Sequence, residues 1–427
     1  MNLIHRRTFL GGMAAAVGAF GFGCGQKVNP VKGTFPLGVA AGDAKPDGVL
    51  LWTKYVGEEA LDAVWWLEAG DLSAQQRTPA HEEDGFIITA VNGLQPGTWY
   101  NYYFEGPTGE TSPVGRFRTA IAPDSKEKLI IAATSCIKHG YTYGALGHAA
   151  ARTDLDAFIF LGDAVYTDGA VSLDDFRSKW TQGLNEPEYT DLRGSTSMVA
   201  LWDDHEVRNN WENGNVDPAL LESARRAFLE HQPIRTNAET PLRYWRSLRW
   251  GQTAELFALD ARSERNRAAG QYLSPEQLDW LVKGVSESPA AFKLILNTVP
   301  IGSFDTALFK PFSSDCWLAF PEQREQLLSR IEGSGTRGVI IISGDFHFGC
   351  FGRASRPGTS GYGLYEAMVG PGSNHPNPSP SYPHGDPWEF STAIRNYTTF
   401  ELDPQSGQAK LQWISDEGKI LFERTLT

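Results

Sequence analysis

The sequence predicts a fold in two parts, an all-β N-terminal region followed by a larger α/β region. Up to about residue 120 the apolar residues form short runs between Gly- and Pro-containing turns, which is typical of antiparallel strands. Beyond that point strand-like apolar runs alternate with helical segments, which indicates a sheet that is covered on both faces. A chain of 427 residues fits about two or three domains of ordinary size.

Composition narrows the class of protein. Hydrophobic residues make up 41% of the chain and charged residues 21%, which excludes intrinsic disorder and a multi-pass membrane protein. Lys and Arg number 38 against 51 Asp and Glu, a net charge of −13, so nucleic acid is not expected as an electrostatic partner. Anionic substrates remain compatible with this charge, because acidic clusters can hold metal ions that reverse the local sign.

Residues 1–24 are predicted to be a Tat-type signal peptide. The twin arginines Arg6 and Arg7 precede a mildly apolar, Gly- and Ala-rich stretch that is too short to span a bilayer comfortably. Residues 21–24 resemble a lipoprotein cleavage box, and lipidation of Cys24 is left open. The segment therefore predicts export by the Tat machinery to the periplasm or the extracellular space, with a membrane anchor if Cys24 is acylated.

The predicted N-terminal domain covers residues 33–120. Its strand-like segments are residues 49–52, 63–66, 86–89, 100–104 and 115–119. Their length and the turns between them resemble a fibronectin type III or immunoglobulin-like sandwich. Residues 122–125 form the predicted linker, and the second domain is predicted to cover residues 126–427.

Six apolar runs in the second domain each end in polar or reactive residues. The runs are residues 129–133, 158–161, 198–202, 256–259, 294–296 and 339–342. Ligand sites of such sheets gather beyond the carboxyl ends of the strands, so the polar tails should meet at one edge. Helices are predicted to start at Pro218 and Pro275, and the last strands lie within residues 397–425. Residues 370–388 are predicted to form a long loop near the site or a partner surface.

The polar tails supply the ligands for two kinds of metal ion. A thiolate, a phenolate, an imidazole and a carboxylate together suit ferric iron better than magnesium, and these ligands are Cys136, Tyr166, His347 and Asp163. Asp204 and Asp345 offer only oxygen and suit a hard ion such as calcium or magnesium. Asp163 ends a central strand and is well placed to bridge two ions, which could together clamp a phosphate.

Each of these side chains alone has an ordinary structural explanation. A buried Cys is usually a packing residue, and an Asp after a strand is commonly a turn or cap residue. The run 203–206 is different, because three carboxylates around one His repel each other without a cation. Their joint occurrence at successive strand ends therefore indicates a site.

Three segments carry a resemblance to a known family: 162–166 (GDAVY), 202–206 (WDDHE) and 343–347 (SGDFH). Together with residues 35–43, 135–136 and 259–262, they resemble the alkaline phosphatase D (PhoD-like) family of metallophosphoesterases over essentially the whole mature chain. The resemblance implies an α/β four-layer (α/β/β/α) phosphoesterase domain behind the Ig-like domain. It also implies phosphomonoesterase and phosphodiesterase activity, with iron and one or two calcium ions as cofactors.

The resemblance also implies roles for individual residues. Cys136, Asp163, Tyr166 and His347 would hold iron, and Asp163, Asp204 and Asp345 would hold the second ion. Zinc, manganese or magnesium could take the place of either metal. Whether Asn209 or Asn210 is a further ligand is left open.

The mechanism expected from this family is attack of a metal-bound hydroxide on phosphorus. His205, held by Glu206, would protonate or stabilise the leaving oxygen, and these two residues are the predicted catalytic pair. A serine esterase is disfavoured, because no Gly-x-Ser-x-Gly elbow follows a strand. A non-catalytic cell-surface binding module with a structural metal remains the alternative. A disulfide between Cys316 and Cys350, and the preference for monoesters or diesters, are left open.

Overall fold

The computed structural model describes residues 34–57, 60–70, 74–237, 239–304, 314–377 and 385–427. The predicted signal peptide, with Arg6, Arg7 and Cys24, lies outside the described residues, and so does part of the loop 370–388. Within the described ranges, no helix combines the length and the hydropathy that crossing a bilayer requires.

The described strands and helices are labelled in chain order. The strands are β1 (Val39–Lys45), β2 (Gly48–Lys54), β3 (Leu61–Leu67), β4 (Gln76–Ala80), β5 (Glu82–Glu83), β6 (Phe86–Asn92), β7 (Trp99–Glu105), β8 (Gly115–Arg118), β9 (Leu129–Thr134), β10 (Ala157–Leu161), β11 (Ser197–Leu201), β12 (Arg246–Trp250), β13 (Ala254–Ala258), β14 (Phe292–Leu296), β15 (Val339–Ser343), β16 (Gly349–Arg353), β17 (Tyr365–Met368), β18 (Trp388–Thr392), β19 (Asn396–Asp403), β20 (Gln408–Ser415) and β21 (Ile420–Leu426). The α-helices are α1 (Gly144–Ala150), α2 (Leu173–Leu184), α3 (Pro187–Ser195), α4 (Pro218–His231), α5 (Pro275–Glu287) and α6 (Pro321–Gly333).

Three sheets organise these strands. The largest has ten strands in the order β21-β20-β19-β9-β10-β11-β1-β2-β6-β5, the second has seven in the order β12-β13-β14-β15-β17-β16-β18, and the third is β4-β3-β7-β8. The first described α-helix begins at Gly144, so the N-terminal region is all-β as predicted. The six predicted apolar runs form β9, β10, β11, β13, β14 and β15, and neighbouring members of each set of three are parallel.

The N-terminal region contributes strands to the largest sheet. β1 pairs in parallel with β11, with Ala41 opposite Ser197, and it pairs antiparallel with β2. Six of the seven residues of β1 are buried, which is the pattern of a strand covered on both faces rather than of a sandwich with one solvated face. The sheet is therefore continuous across the predicted boundary near residue 120.

The sheets pack through side chains that alternate along each strand. In β10, Ile159 joins a core cluster with residues of the seven-stranded sheet, whereas Phe158 and Phe160 face the cluster formed with α1 to α4. In β15, Ile342 joins the first of these clusters, and Ile341 packs with α5 and α6. Both faces of the central strands are therefore buried, and their carboxyl ends are left to carry the polar residues.

The two helix starts follow their capping residues. The Asp217 side chain accepts hydrogen bonds from the backbone N–H groups of Ala219 and Leu220, and Ser274 accepts from Gln277 in the same way. Proline occupies the first turn of both helices, where it has no intrahelical bond to lose. Both predicted helix starts are confirmed.

Cys316 and Cys350 are both buried and do not form a disulfide with each other. They lie in a small apolar cluster with Phe348, Met368 and Trp388. Burial raises the pKa of the Cys350 thiol well above its usual range. The covalent link that the sequence left open is therefore absent from the described part of the chain.

Candidate metal centre

The predicted site residues follow the carboxyl ends of neighbouring parallel strands. Cys136 follows β9, Asp163 follows β10 and Asp204 follows β11, while Asp345 and His347 follow β15 of the other sheet. Their donor atoms fall into three overlapping groups whose members lie within 4.8 Å of one another: Cys136, Asp163 and His347; Asp163, Asp204 and His205; and Asp203, Asp204 and Asp345. The structure therefore brings the tails of both sheets together at one edge.

Backbone strain concentrates at these positions. Cys136, Asp163, Asp345 and His347 have φ angles of 57°, 53°, 65° and 56°. Left-handed backbone costs about 1–2 kcal/mol for a residue with a side chain. Only seven non-glycine residues of the described chain adopt a φ in this region, and four of them are predicted metal ligands. Such clustering is a feature of functional sites, where the surrounding fold holds side chains in one required direction.

The first group contains the ligands expected for iron. Cys136, Asp163 and His347 can each place a donor atom within 4.8 Å of the others. The Tyr166 hydroxyl donates to Asp163 Oδ2 at 3.0 Å and lies 3.1 Å from His347 Nε2. Asn374 Nδ2 donates to the Tyr166 hydroxyl at 2.7 Å. Thiol, carboxyl, phenol and imidazole groups thus meet at one point.

The second group contains carboxylates. Asp203, Asp204 and Asp345 place oxygens within 4.8 Å of one another, and all three follow buried strands. Asp203 is already neutralised, because its two oxygens accept from Arg262 Nε and Nη2 at 2.9 and 2.7 Å. Arg262 also pairs with Asp315 at 2.7 Å. Asp203 therefore anchors the loop, and Asp204 and Asp345 remain as the candidate ligands.

Asp204 has an oxygen with no hydrogen-bond partner. Its Oδ2 accepts from the backbone N–H of Asn210 at 2.6 Å, whereas the buried Oδ1 receives no hydrogen bond from any described residue. The nearest cation that pairs with it is Arg262 Nη2, at 3.8 Å. A buried carboxylate oxygen in this state is costly unless another positive group completes its surroundings.

The electrostatics of the cluster also favour a cation. Burial, then the charges of Asp204 and Glu206, raise the pKa of Asp163 well above its usual range, although His205 opposes the shift. Burial and the charges of Asp204 and Asp203 raise the pKa of Asp345 in the same way. Burial, followed by the charge of His205, lowers the pKa of His347 to about 4, so its imidazole is in the neutral form that binds metals. The donor set therefore fits a metal pair, because Asp163 shares one group of donor atoms with Cys136 and His347 and another with Asp204.

His205 is oriented by Asp168 rather than by Glu206. Its Nδ1 lies 2.5 Å from Asp168 Oδ2, and its ring centroid lies 4.0 Å from that of Tyr166. Burial alone would lower the pKa of His205, but the charge of Asp163 and the hydrogen bond with Asp168 raise it to about 10. The predicted contact between His205 and Glu206 is therefore wrong.

Glu206 contacts backbone amide groups instead of His205. Its two oxygens accept from the backbone N–H groups of Ala164 and Asp203, at 2.6 and 2.8 Å. The side chain is buried, and these two bonds tie the loop after β10 to the loop after β11. Glu206 therefore positions the backbones that carry Asp163 and Asp204, and both of its oxygens are engaged there rather than with His205.

The two asparagines left open in the sequence differ in what their backbone does. The Asn209 N–H donates to Asp168 Oδ1 at 2.8 Å, and the Asn210 N–H donates to Asp204 Oδ2. Asn210 has a φ of 55°, like the candidate ligands. Both residues thus orient carboxylates through their main chain.

Three residues important for this geometry were missed. Asp168 lies only five residues after Asp163 in the same loop, so a search for a carboxylate beside His205 could have found it. Asn374 lies in the loop that was expected near the site, but its contact with Tyr166 carries no local sequence signal. Arg262 belongs to a motif that the sequence singled out, yet its pairing with Asp203 joins residues 59 apart.

Comparisons with known proteins show which family the sequence resembles. Residues 130–381 match the family model described as PhoD-like phosphatase, and residues 23–121 match the model of the PhoD-like phosphatase N-terminal domain. Alkaline phosphatase D of Bacillus subtilis (strain 168) is 26% identical, over 81% of this chain and 72% of that protein.

Solved structures share the fold. A structure of PhoD superposes with a TM-score of 0.78 and 22% identity, covering 93% of this chain and 90% of that one. A purple acid phosphatase from yellow lupin (Lupinus luteus) seeds superposes with a TM-score of 0.69 and 14% identity, covering 91% and 73%. Since the family model spans more than half of the sequence, this chain belongs to the PhoD-like phosphatase family.

Proposed function

We propose that this protein is an exported phosphoesterase that hydrolyses phosphate mono- or diesters at a two-metal site. The observation that carries the proposal is the convergence of Cys136, Asp163, Tyr166 and His347 with Asp204 and Asp345 at one sheet edge. Membership of a phosphatase family supports the reaction class. Export rests on residues 1–24, and an anchor would further require acylation of Cys24.

Iron and calcium fit the two halves of the donor set. Cys136, Tyr166 and His347 would hold ferric iron, Asp204 and Asp345 would hold calcium, and Asp163 would bridge them. A bound metal pair supplies positive charge for the phosphoryl oxygens and lowers the pKa of water. The chain itself contributes the strained backbone that points these side chains inward and the Glu206 contacts that hold the two loops together.

His205 is placed to serve the leaving oxygen. Asp168 accepts a hydrogen bond from Nδ1, which directs Nε2 away from that carboxylate and leaves the Nε2 proton available to the leaving oxygen. Lys138 adds positive charge beside Tyr166, because its Nζ lies 5.2 Å from the centre of the Tyr166 ring and its side chain is exposed. The chain can therefore bind the phosphate and return a proton to the alcohol that departs.

We also propose the four-layer α/β/β/α arrangement for residues 126–427, and an Ig- or fibronectin III-like β fold for residues 33–120. The apolar clusters support the first proposal, since α1 to α4 and α5 to α6 pack on different sheets. The four-stranded sheet β4-β3-β7-β8 supports the second, although β1, β2 and β6 extend the larger sheet instead.

The direct test is metal analysis of the purified, exported protein together with hydrolysis of an aryl phosphodiester. We expect about one iron per chain plus calcium, and turnover that is lost on chelation and recovered when both metals return. Zinc or manganese in place of iron and calcium would keep the hydrolase but overturn the metal assignment. Folded protein without metal and without turnover would favour a binding module.

Tyr166 provides a separate test of the iron assignment. A phenolate bound to ferric iron absorbs visible light by charge transfer, so the native protein should be coloured and Tyr166→Phe should lose the band. Tyr141→Phe is the matched control, because Tyr141 lies beside His375 and Arg395 and makes no described contact with a candidate ligand. An unchanged spectrum in Tyr166→Phe would remove Tyr166 from the metal site.

A further inference from the structure

Arg193 is a buried cation without a carboxylate partner. Its side chain is 1% exposed, and no ion pair within 4.0 Å is found for it among the described residues. The other two fully buried arginines, Arg262 and Arg265, both pair with Asp315. Burial of an unpaired charge is unfavourable, so the surroundings of Arg193 require an explanation.

The described contacts of Arg193 satisfy only part of its guanidinium group. Nη2 donates to the backbone carbonyl of His231 at 2.6 Å, and the guanidinium carbon lies 4.2 Å from the centre of the Trp52 ring. Nε and Nη1 are buried and have no hydrogen-bond partner in the described part of the chain. Two charged nitrogens thus lie in the interior without a described hydrogen bond, and the neighbouring His231 Nε2 and Gln232 Oε1 are likewise buried and unbonded.

Two tyrosine hydroxyls share this neighbourhood. Tyr189 lies one turn before Arg193 on the same face of α3, and Tyr102 lies on β7 of the four-stranded sheet. Both residues are fully buried, neither hydroxyl has a described hydrogen-bond partner, and both interact electrostatically with Arg193. The group therefore offers four donors, N–H and O–H, and no anionic acceptor.

The wider surroundings do not neutralise the positive charge. Burial lowers the pKa of Arg193 to about 10, which leaves it charged at neutral pH. Lys54 and Arg177 act on His231 together with Arg193, and Glu230 is occupied by Arg177 and Arg226. Glu206, which acts weakly on Tyr189, has both oxygens on backbone N–H groups.

We propose that Arg193, Tyr102 and Tyr189 bind one small monovalent anion, a halide such as chloride, in the interior of the protein. A halide supplies one negative charge and accepts several N–H and O–H donors at once. A small anion is proposed because all three side chains are at most 1% exposed, so the site is closed to solvent. The anion would link α3 to β7 and so join the phosphoesterase sheet to the four-stranded sheet.

The test is thermal unfolding of the mature chain in sodium chloride, sodium bromide and sodium gluconate at constant ionic strength. Both halides should give a saturable rise in Tm of about 2 °C or more over gluconate, because a ligand that binds only the native state stabilises it. Equal Tm values in the three salts would overturn the proposal. A bromide-soaked crystal should show one anomalous peak beside Arg193, and water density there without a peak would also overturn it.

Variants separate the site from general salt effects. Arg193→Met should lose the halide response, and if it does not fold, the milder Tyr102→Phe/Tyr189→Phe variant should raise the half-saturating bromide concentration about tenfold or more. Tyr272→Phe is the matched control, because Tyr272 is equally buried with an unpartnered hydroxyl beside Arg265, which has a carboxylate. A normal bromide response in Tyr102→Phe/Tyr189→Phe would overturn the assignment.

Discussion

Replacement of Asp163 by Asn is expected to lower kcat/KM for an aryl phosphodiester by about a thousandfold or more. Asp163 belongs to two of the three groups of donor atoms that can hold an ion, so its charge is shared between both proposed metals. Asn keeps one oxygen that can accept from the backbone N–H of His205, but it removes the negative charge. Elemental analysis of the folded variant should show both metals reduced, since neither half of the site remains complete.

Asp154→Asn is the control for this substitution. Asp154 precedes the same strand, β10, but its carboxylate is 51% exposed and pairs only with Arg152. An exposed ion pair of this kind contributes at most about 1 kcal/mol, so activity and metal content should stay native. Full metal retention in Asp163→Asn would contradict the bridging role.

His205→Ala is expected to lower kcat by about 10²- to 10⁴-fold while metal content stays native, because it removes a proton donor from the leaving oxygen. Asp168→Asn should cause a smaller loss, on the order of tenfold, since the imidazole remains but loses the carboxylate that orients it. The fall in kcat caused by His205→Ala should be smaller for substrates with acidic leaving alcohols, because such alcohols leave without protonation. Equal effects on all leaving groups would exclude His205 as the acid.

Glu206→Gln distinguishes positioning of His205 from positioning of the loops. Glu206 accepts two backbone N–H groups, and Gln can accept only one of them with its single oxygen. The other N–H would face an NH₂ group, so Tm should fall by an amount equivalent to about 1–3 kcal/mol. Asp168→Asn should leave Tm close to native. If Glu206→Gln keeps the native Tm but loses the dependence of kcat on the leaving group, the predicted contact between Glu206 and His205 would be supported instead.

Part of the fold could be predicted because its signals are local. Apolar runs of four or five residues marked β10, β11 and β15, and Asp217 and Ser274 marked helix starts through side chains that cap within three residues. The extension of the large sheet into the N-terminal region could not be predicted. The pairing of Ala41 with Ser197 joins residues 156 positions apart, and no sequence feature of either strand indicates which strand it pairs with.

The candidate site, like the fold, could be predicted only in part. The residue types of Cys136, Asp163, Tyr166 and His347 predicted a metal site before any geometry was available, because few other functions need that set of ligands at strand ends. The partner of His205 was predicted wrongly, since the adjacent Glu206 was chosen over Asp168. Neighbours along a loop do not point in the same direction, and the side chain of Glu206 turns inward to two N–H groups.

The sequence by itself determined the classes of element, the strand-end positions of the ligands and the family, because each depends on residue identity and short-range order. Only the tertiary structure decided which carboxylates form ion pairs with Arg262, which carboxylate orients His205 and why Arg193 has no carboxylate partner among the described residues. Those outcomes depend on distances between side chains far apart in the chain, such as Arg262 and Asp315. The partners of a buried charge are the polar groups that tertiary packing places next to it, and these cannot be identified from positions in the sequence.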